Sequence, residues 1–243
     1  MQRIFHTPEG VRDIYSQECS RKQKLQEKLH RVFHQYGFED IETPTFEYFE
    51  VFSKEVGTIP SRDLYKFFDR EGNTLVLRPD FTPSVSRACA TYFNPEKEVV
   101  SLCYTGNTFI NNSSFRGRLK ETTQMGVERM GDDSPEADAE ILAMTVECLL
   151  ATGLTEFQVS VGQVDYYKAI FAQTGLSQEE EEELRELISQ KNYFGVEELV
   201  KNKNMDKSLA RVLSQLPQMF GSTEVLEKAK SLTDNPQALK KSE

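Results

Sequence analysis

A chain of 243 residues, 38% hydrophobic and 10% aromatic, can bury the core of one large domain or of one domain with an insertion. Its net charge of −10 repels phosphate backbones and disfavours extended nucleic-acid binding. The four cysteines, Cys19, Cys89, Cys103 and Cys148, form no CxxC pair, which argues against zinc and disulfide frameworks and for a reducing cytosol. The N-terminal MQRIFHTPEG has no apolar signal core, and no apolar run approaches the roughly 20 residues that span a bilayer. The expectation is a soluble cytoplasmic protein without a membrane segment.

In chain order, Ser16 to Tyr36 reads as a helix, with Leu25, Leu29, Val32, Phe33 and Tyr36 on one face and Gly37 as its stop. Phe38 and Ile41 suggest a strand, and Phe46 to Phe52 a short helix after Pro44. Tyr65 to Phe68 and Thr74 to Arg78 read as a hairpin turning at Glu71-Gly72-Asn73. Thr82 is placed as N-cap and Pro83 as first residue of the next helix. Strand character returns at Val99 to Phe109 and Glu121 to Met130. A helix follows, capped by Ser134, begun at Pro135 and ended at Gly153. "TEFQVSVGQ" alternates like a strand, with Phe157, Val159 and Val161 on one face.

Beyond Val164 the chain turns helical and charged, and Ser177 with Glu180 makes a capping box. The expected organisation is residues 1–164 as a mixed core part and 165–243 as a helical insertion or subdomain. Because the strands come as hairpins, the expected class is α+β, an antiparallel sheet with flanking helices.

Strand alternation also nominates a site. A period of two puts Thr122, Gln124, Gly126 and Glu128 on one face, with Met125 and Val127 on the other. That polar face is either solvated or a ligand floor, on which Glu128 suits a cationic or N–H-bearing ligand. Arg78, Asp80 and Thr82 alternate at a strand end, where Asp80 could take an ammonium group. Arg116 and Arg118 flank Gly117 in a hairpin loop, a pair that can clamp a phosphate or simply be solvated. His30 and His34 have a metal-capable i, i+4 spacing, but no carboxylate or cysteine pattern nearby completes a site, so they read as a surface pair and no metal is expected. P-loop, dinucleotide and hydrolase-elbow motifs are absent, and no cofactor is expected.

Taken together, "TPEGVRDIY", "GFEDIETPTFEYFEVF", "DLYKFFDREGNTLVLRPDFT" and "YTGNTF…RGRLKETTQMGVE" resemble, in order, the N-terminal half of the class II histidyl-tRNA synthetase core. The resemblance covers about Thr7 to Gly131 and continues more weakly to about Gly162. It implies a class II synthetase-like sheet flanked by helices, a dimer formed near Pro44, and histidine held by Asp80, Thr82, Gln124 and Glu128. The chain departs from the synthetases where they carry an Arg and a Glu for ATP: here those positions are Ile110 and Asn112. Ile110 cannot neutralise a phosphate, and one lost cation at a reacting phosphorus costs several kcal/mol.

This pattern, an amino-acid half kept and an ATP half lost, resembles the regulatory subunits of ATP phosphoribosyltransferase, paralogues of the synthetases in histidine biosynthesis. The resemblance implies no catalysis of its own, a short-form catalytic subunit as partner, L-histidine as feedback effector, and a homodimer within a hetero-oligomer. The resemblance also implies no anticodon-binding domain, and tRNA binding is not expected. The rest of the family's core, with a further histidine motif, is not seen in this chain. The alternatives are a divergent or truncated histidyl-tRNA synthetase, which would activate histidine with ATP, and a class II paralogue that handles another small amino acid.

Overall fold

Helix α1, Ser16–Gln35, is built from the apolar face read above: Val32 and Phe33 are buried, and Gly37, at φ +80°, stops the helix in the left-handed region. The computed structural model describes residues 6–53, 59–112, 117–162, 164–203 and 205–240. The chain forms two compact units, residues 1–158 and 159–243.

In the first unit, β1 (Glu39–Asp40) pairs in parallel with β5 (Val100–Phe109), and β5 pairs antiparallel with β6 (Glu121–Met130). One face of this sheet is covered by α1 and by α4 (Pro135–Ala151): Val32, Phe33, Phe38, Cys103 and Met144 are buried there, with Met125 and Val127 packed against them. Ser134 caps α4, its hydroxyl accepting from Ala137 N. The opposite face takes α3 (Thr82–Tyr92), whose Phe81, Val85 and Cys89 end meets Val100, Leu102 and Tyr104. Leu102, Cys103 and Tyr104 are therefore buried in succession, as a strand covered on both faces must be.

A second sheet has the order β2 (Phe46–Tyr48), β4 (Thr74–Leu77), β3 (Lys66–Phe68), with antiparallel pairing throughout. The segment read as a helix from Phe46 to Phe52 is thus a strand followed by the short α2 (Glu50–Ser53). Its backbone bonds to β4, and Glu47 turns inward to receive Arg87 Nε and Nη2 at 3.0 and 2.8 Å. Cross-strand pairing overrode local helical spacing.

Two further expectations are corrected. Thr82 does not cap α3; Phe81 occupies that position without a side-chain cap, and the Thr82 hydroxyl points elsewhere. The alternating stretch 155–162 is not a strand, because no described segment takes its ladder bonds, and Val161 is 72% exposed.

The second unit is helical: α5 (Val164–Phe171), α6 (Gln178–Ser189), α7 (Tyr193–Asn202), α8 (Lys207–Gln215), α9 (Glu224–Leu232) and α10 (Pro236–Lys240). Ile170, Leu184, Val196, Leu213 and Leu216 form its core. The Ser177–Glu180 capping box is present, and Asn192 and Asp206 cap α7 and α8. Buried Asn235 staples α10 to α5 by donating to Ala169 O at 2.8 Å. Among the described residues, no helix is long and apolar enough to cross a membrane.

Candidate functional site

The antiparallel register of β5 and β6 sets Tyr104 opposite Gly126, Gly106 opposite Gln124, and Leu102 opposite Glu128. On this face the turn from β4 into α3 delivers Asp80 and Thr82. The Thr82 hydroxyl donates to Glu128 Oε1 at 2.7 Å, and the Tyr104 hydroxyl reaches the same oxygen at 3.4 Å. Gln124 Nε2 donates to Asp80 Oδ1 at 3.1 Å and lies 3.4 Å from the Tyr104 oxygen. Asp80 Oδ1 also accepts from Phe81 N at 2.7 Å. Asp80, Thr82, Gln124 and Glu128, nominated from strand faces and from the resemblance, are thus one hydrogen-bonded cluster joined through Tyr104.

Tyr104 was not nominated. Its signal lay in alternation: it shares the sheet face of Gln124 and Glu128, but only the register reveals that it stands over a glycine. A Cβ on Gly126 would come within 2.3 Å of the Tyr104 oxygen, so the missing side chain is what admits the ring. Phe81 stacks on Tyr104 at 4.3 Å and 8°, fixing the ring from the other side.

Arg78 does not join the ligand group as its alternation with Asp80 and Thr82 suggested. It is buried, lies 3.9 Å from the Phe81 ring centroid, and donates to the carbonyls of Asn107 at 2.8 Å and Thr43 at 2.9 Å. It ties the loop after β1 to β5 and holds up the Phe81–Tyr104 stack. Gly106 leaves it room, since a Cβ there would lie 2.5 Å from Arg78 Nη2.

The cluster is electrostatically one-sided. Burial first, and then the charge of Asp80, push the Glu128 carboxyl above its ordinary value, against hydrogen bonds from Thr82 and Tyr104 that favour the anion. Burial, followed by the charges of Glu128 and Asp80, raises the Tyr104 phenol too, so it stays a neutral donor. Among the described residues neither Asp80 nor Glu128 has a cationic side chain bonded to it.

Of the two arginines considered for a phosphate, Arg118 is exposed and Arg116 lies outside the described residues. Ile110 N donates to Lys120 O at 2.9 Å, and Asn111 N to Asp63 O at 2.8 Å, which fixes the chain just after β5.

His30 and His34, read as a surface pair, lie beside a carboxylate and a thiol that their spacing alone does not show. Asp40 accepts from His30 Nε2 on one oxygen and lies 3.1 Å from His34 Nε2 on the other. Cys103 Sγ lies 3.4 Å from Asp40 Oδ1. The missing partners arrive through the parallel pairing of Asp40 with Cys103, which spacing along the chain cannot reveal.

The family model described as histidyl-tRNA synthetase matches residues 10–243. An ATP phosphoribosyltransferase regulatory subunit of Acetivibrio thermocellus is 41% identical over 97% of this chain and 56% of its own length. One of Ruminiclostridium cellulolyticum is 39% identical over the same shares, 97% and 56%. A solved structure described as an ATP phosphoribosyltransferase regulatory subunit/histidyl-tRNA synthetase from Bacillus halodurans is 31% identical, with a TM-score of 0.87 over 99% of this chain and 62% of that one. The chain therefore spans little more than half the length of the curated relatives it matches. Matched over nearly all of its own length, it belongs to the histidyl-tRNA synthetase family.

Proposed function

We propose that this chain belongs to a non-catalytic regulatory subunit of ATP phosphoribosyltransferase, acting in the cytoplasm with a short catalytic subunit at the first step of histidine biosynthesis. In this reading residues 1–164 hold the effector and 165–243 are a helical insertion. The effector is L-histidine, held by Asp80, Thr82, Gln124 and Glu128, with Tyr104 between them.

One observation carries the reading: two carboxylates share a partly buried cluster of neutral donors without a cation among the described residues. Such a cluster is complementary to a small ligand that brings positive charge, and an amino acid's ammonium group or a histidine imidazolium would relieve the repulsion between Asp80 and Glu128. The names of the relatives support the partner. Ile110, in place of the synthetases' arginine, argues against stabilising charge at an α-phosphorus.

Feedback requires that histidine bind one state of the assembly more tightly than the other. The test is calorimetric titration of L-histidine into the full-length protein, with and without Mg-ATP, and inhibition of the reconstituted holoenzyme. Histidine is expected to bind regardless of ATP, and Glu128→Ala to abolish inhibition. Inhibition unchanged in Glu128→Ala would remove that residue from the site. ATP-coupled binding with pyrophosphate release would make the protein a synthetase instead.

A further inference from the structure

On the sheet face opposite the ligand cluster, α1, β1 and β5 converge. His30 and His34 lie one turn apart on α1 and present their Nε2 atoms to the same carboxylate, Asp40. Asp40 is in direct parallel register with Cys103, whose thiol is buried beneath it. One donor atom from each of the four residues lies within 4.8 Å of every other.

We propose that His30, His34, Asp40 and Cys103 form a binding site for a zinc-class divalent cation. A tetrahedral zinc ion with bonds of about 2.0–2.3 Å sets its donors roughly 3.3–3.8 Å apart. His34 Nε2 lies 3.1 Å from Asp40 Oδ2 and Cys103 Sγ 3.4 Å from Asp40 Oδ1, so each oxygen of the carboxylate has one other donor near that spacing, and the four donors must draw together by about an ångström at their widest to close on an ion. The donor set selects the metal: one thiolate, two imidazoles and one carboxylate suit zinc and its borderline-soft neighbours, whereas magnesium and calcium prefer oxygens alone.

Two features of the surroundings favour a cation. His34 sits in the last turn of α1, at the negative end of that helix. The two imidazoles line a surface groove with Glu27, Arg31 and Gln35, so an ion can reach them from solvent. Four protein ligands make this a closed, structural kind of site. Bound metal would fasten α1 to both strands. Because Cys103 precedes Tyr104, it would also stiffen the strand segment that presents Tyr104 to the ligand cluster.

The test is a Co²⁺ titration of the chelator-stripped protein. One equivalent is expected, with a thiolate-to-cobalt charge-transfer band in the near ultraviolet that added Zn²⁺ abolishes. Cys103→Ser should lose the band, and Cys19→Ser should keep it. Because Cys103 is buried, a second variant avoids a folding artefact: in His34→Gln, whose side chain is 46% exposed, zinc affinity measured against a chromophoric chelator should fall at least about 100-fold. That loss should at least match what removing a residue that merely supports a ligand costs. Absence of the band together with equal zinc affinity in wild type and His34→Gln would reduce the cluster to a histidine–aspartate ion pair. A band that survives in Cys103→Ser would equally overturn the site.

Discussion

Glu128 stands where burial and a second carboxylate both penalise its charge, so its ionisation works against the ligand-free fold. Its folded pKa is raised above the ordinary 4.5, burial being the largest cause. A group raised in this way stabilises the protein fully below its unfolded pKa, and that contribution is lost as pH rises through the folded value. Glu128→Gln keeps an acceptor for Thr82 and Tyr104 but cannot ionise. In chemical denaturation between about pH 4 and pH 7, the variant is therefore expected to gain stability relative to wild type as pH rises, while losing its histidine response. Shifted acids elsewhere, such as Asp40 and Asp69, titrate in both proteins and cancel in the difference. A flat difference curve would mean that Glu128 does not carry the strain assigned to it.

At the scale of elements, Thr82 marks where local and tertiary signals part. A threonine before Pro83 reads as a helix cap, yet its hydroxyl crosses to β6 and leaves the cap position to Phe81. Thr82→Val, nearly isosteric, is thus expected to leave α3 helical, raise the Glu128 pKa further, and cost about 1–3 kcal/mol at neutral pH by withdrawing a donor from a partly buried carboxylate. Carboxyl NMR of Glu128 checks it, since loss of a mere cap would not move that titration. The same contrast explains what was legible. Helices α1 and α4 and strands β5 and β6 carry their periodicity and caps within themselves, and strand alternation placed Gln124 and Glu128 on one face. The role of Tyr104 and the meeting of Asp40 with Cys103 depend on register between segments far apart in sequence. The strand at Phe46–Tyr48 likewise needed its partner β4, and the alternating 155–162 lacked one among the described residues.

The molecule as a whole has separate cores: the buried cluster of the helical unit draws on residues between Tyr166 and Ala238, and the clusters under the sheet draw on residues between Val32 and Met144. Among the described residues no buried side chain belongs to both, so a cavity opened in one core need not reach the other. Leu213 is fully buried in α8 among the helical core residues. Leu213→Ala deletes most of that side chain and is expected to cost the helical unit about 2–5 kcal/mol, a large share of any small domain's stability. Amide hydrogen exchange can follow the two units separately. Protection should fall across 164–240, while β5 and β6, on which the Glu128 cluster depends, retain theirs because local opening follows cooperative units rather than the chain as a whole. Histidine affinity should then be unchanged in the variant. If the amides of Val100–Phe109 lost protection in parallel, the two cores would be one cooperative structure, and the helical unit would have to be counted among the supports of the ligand cluster.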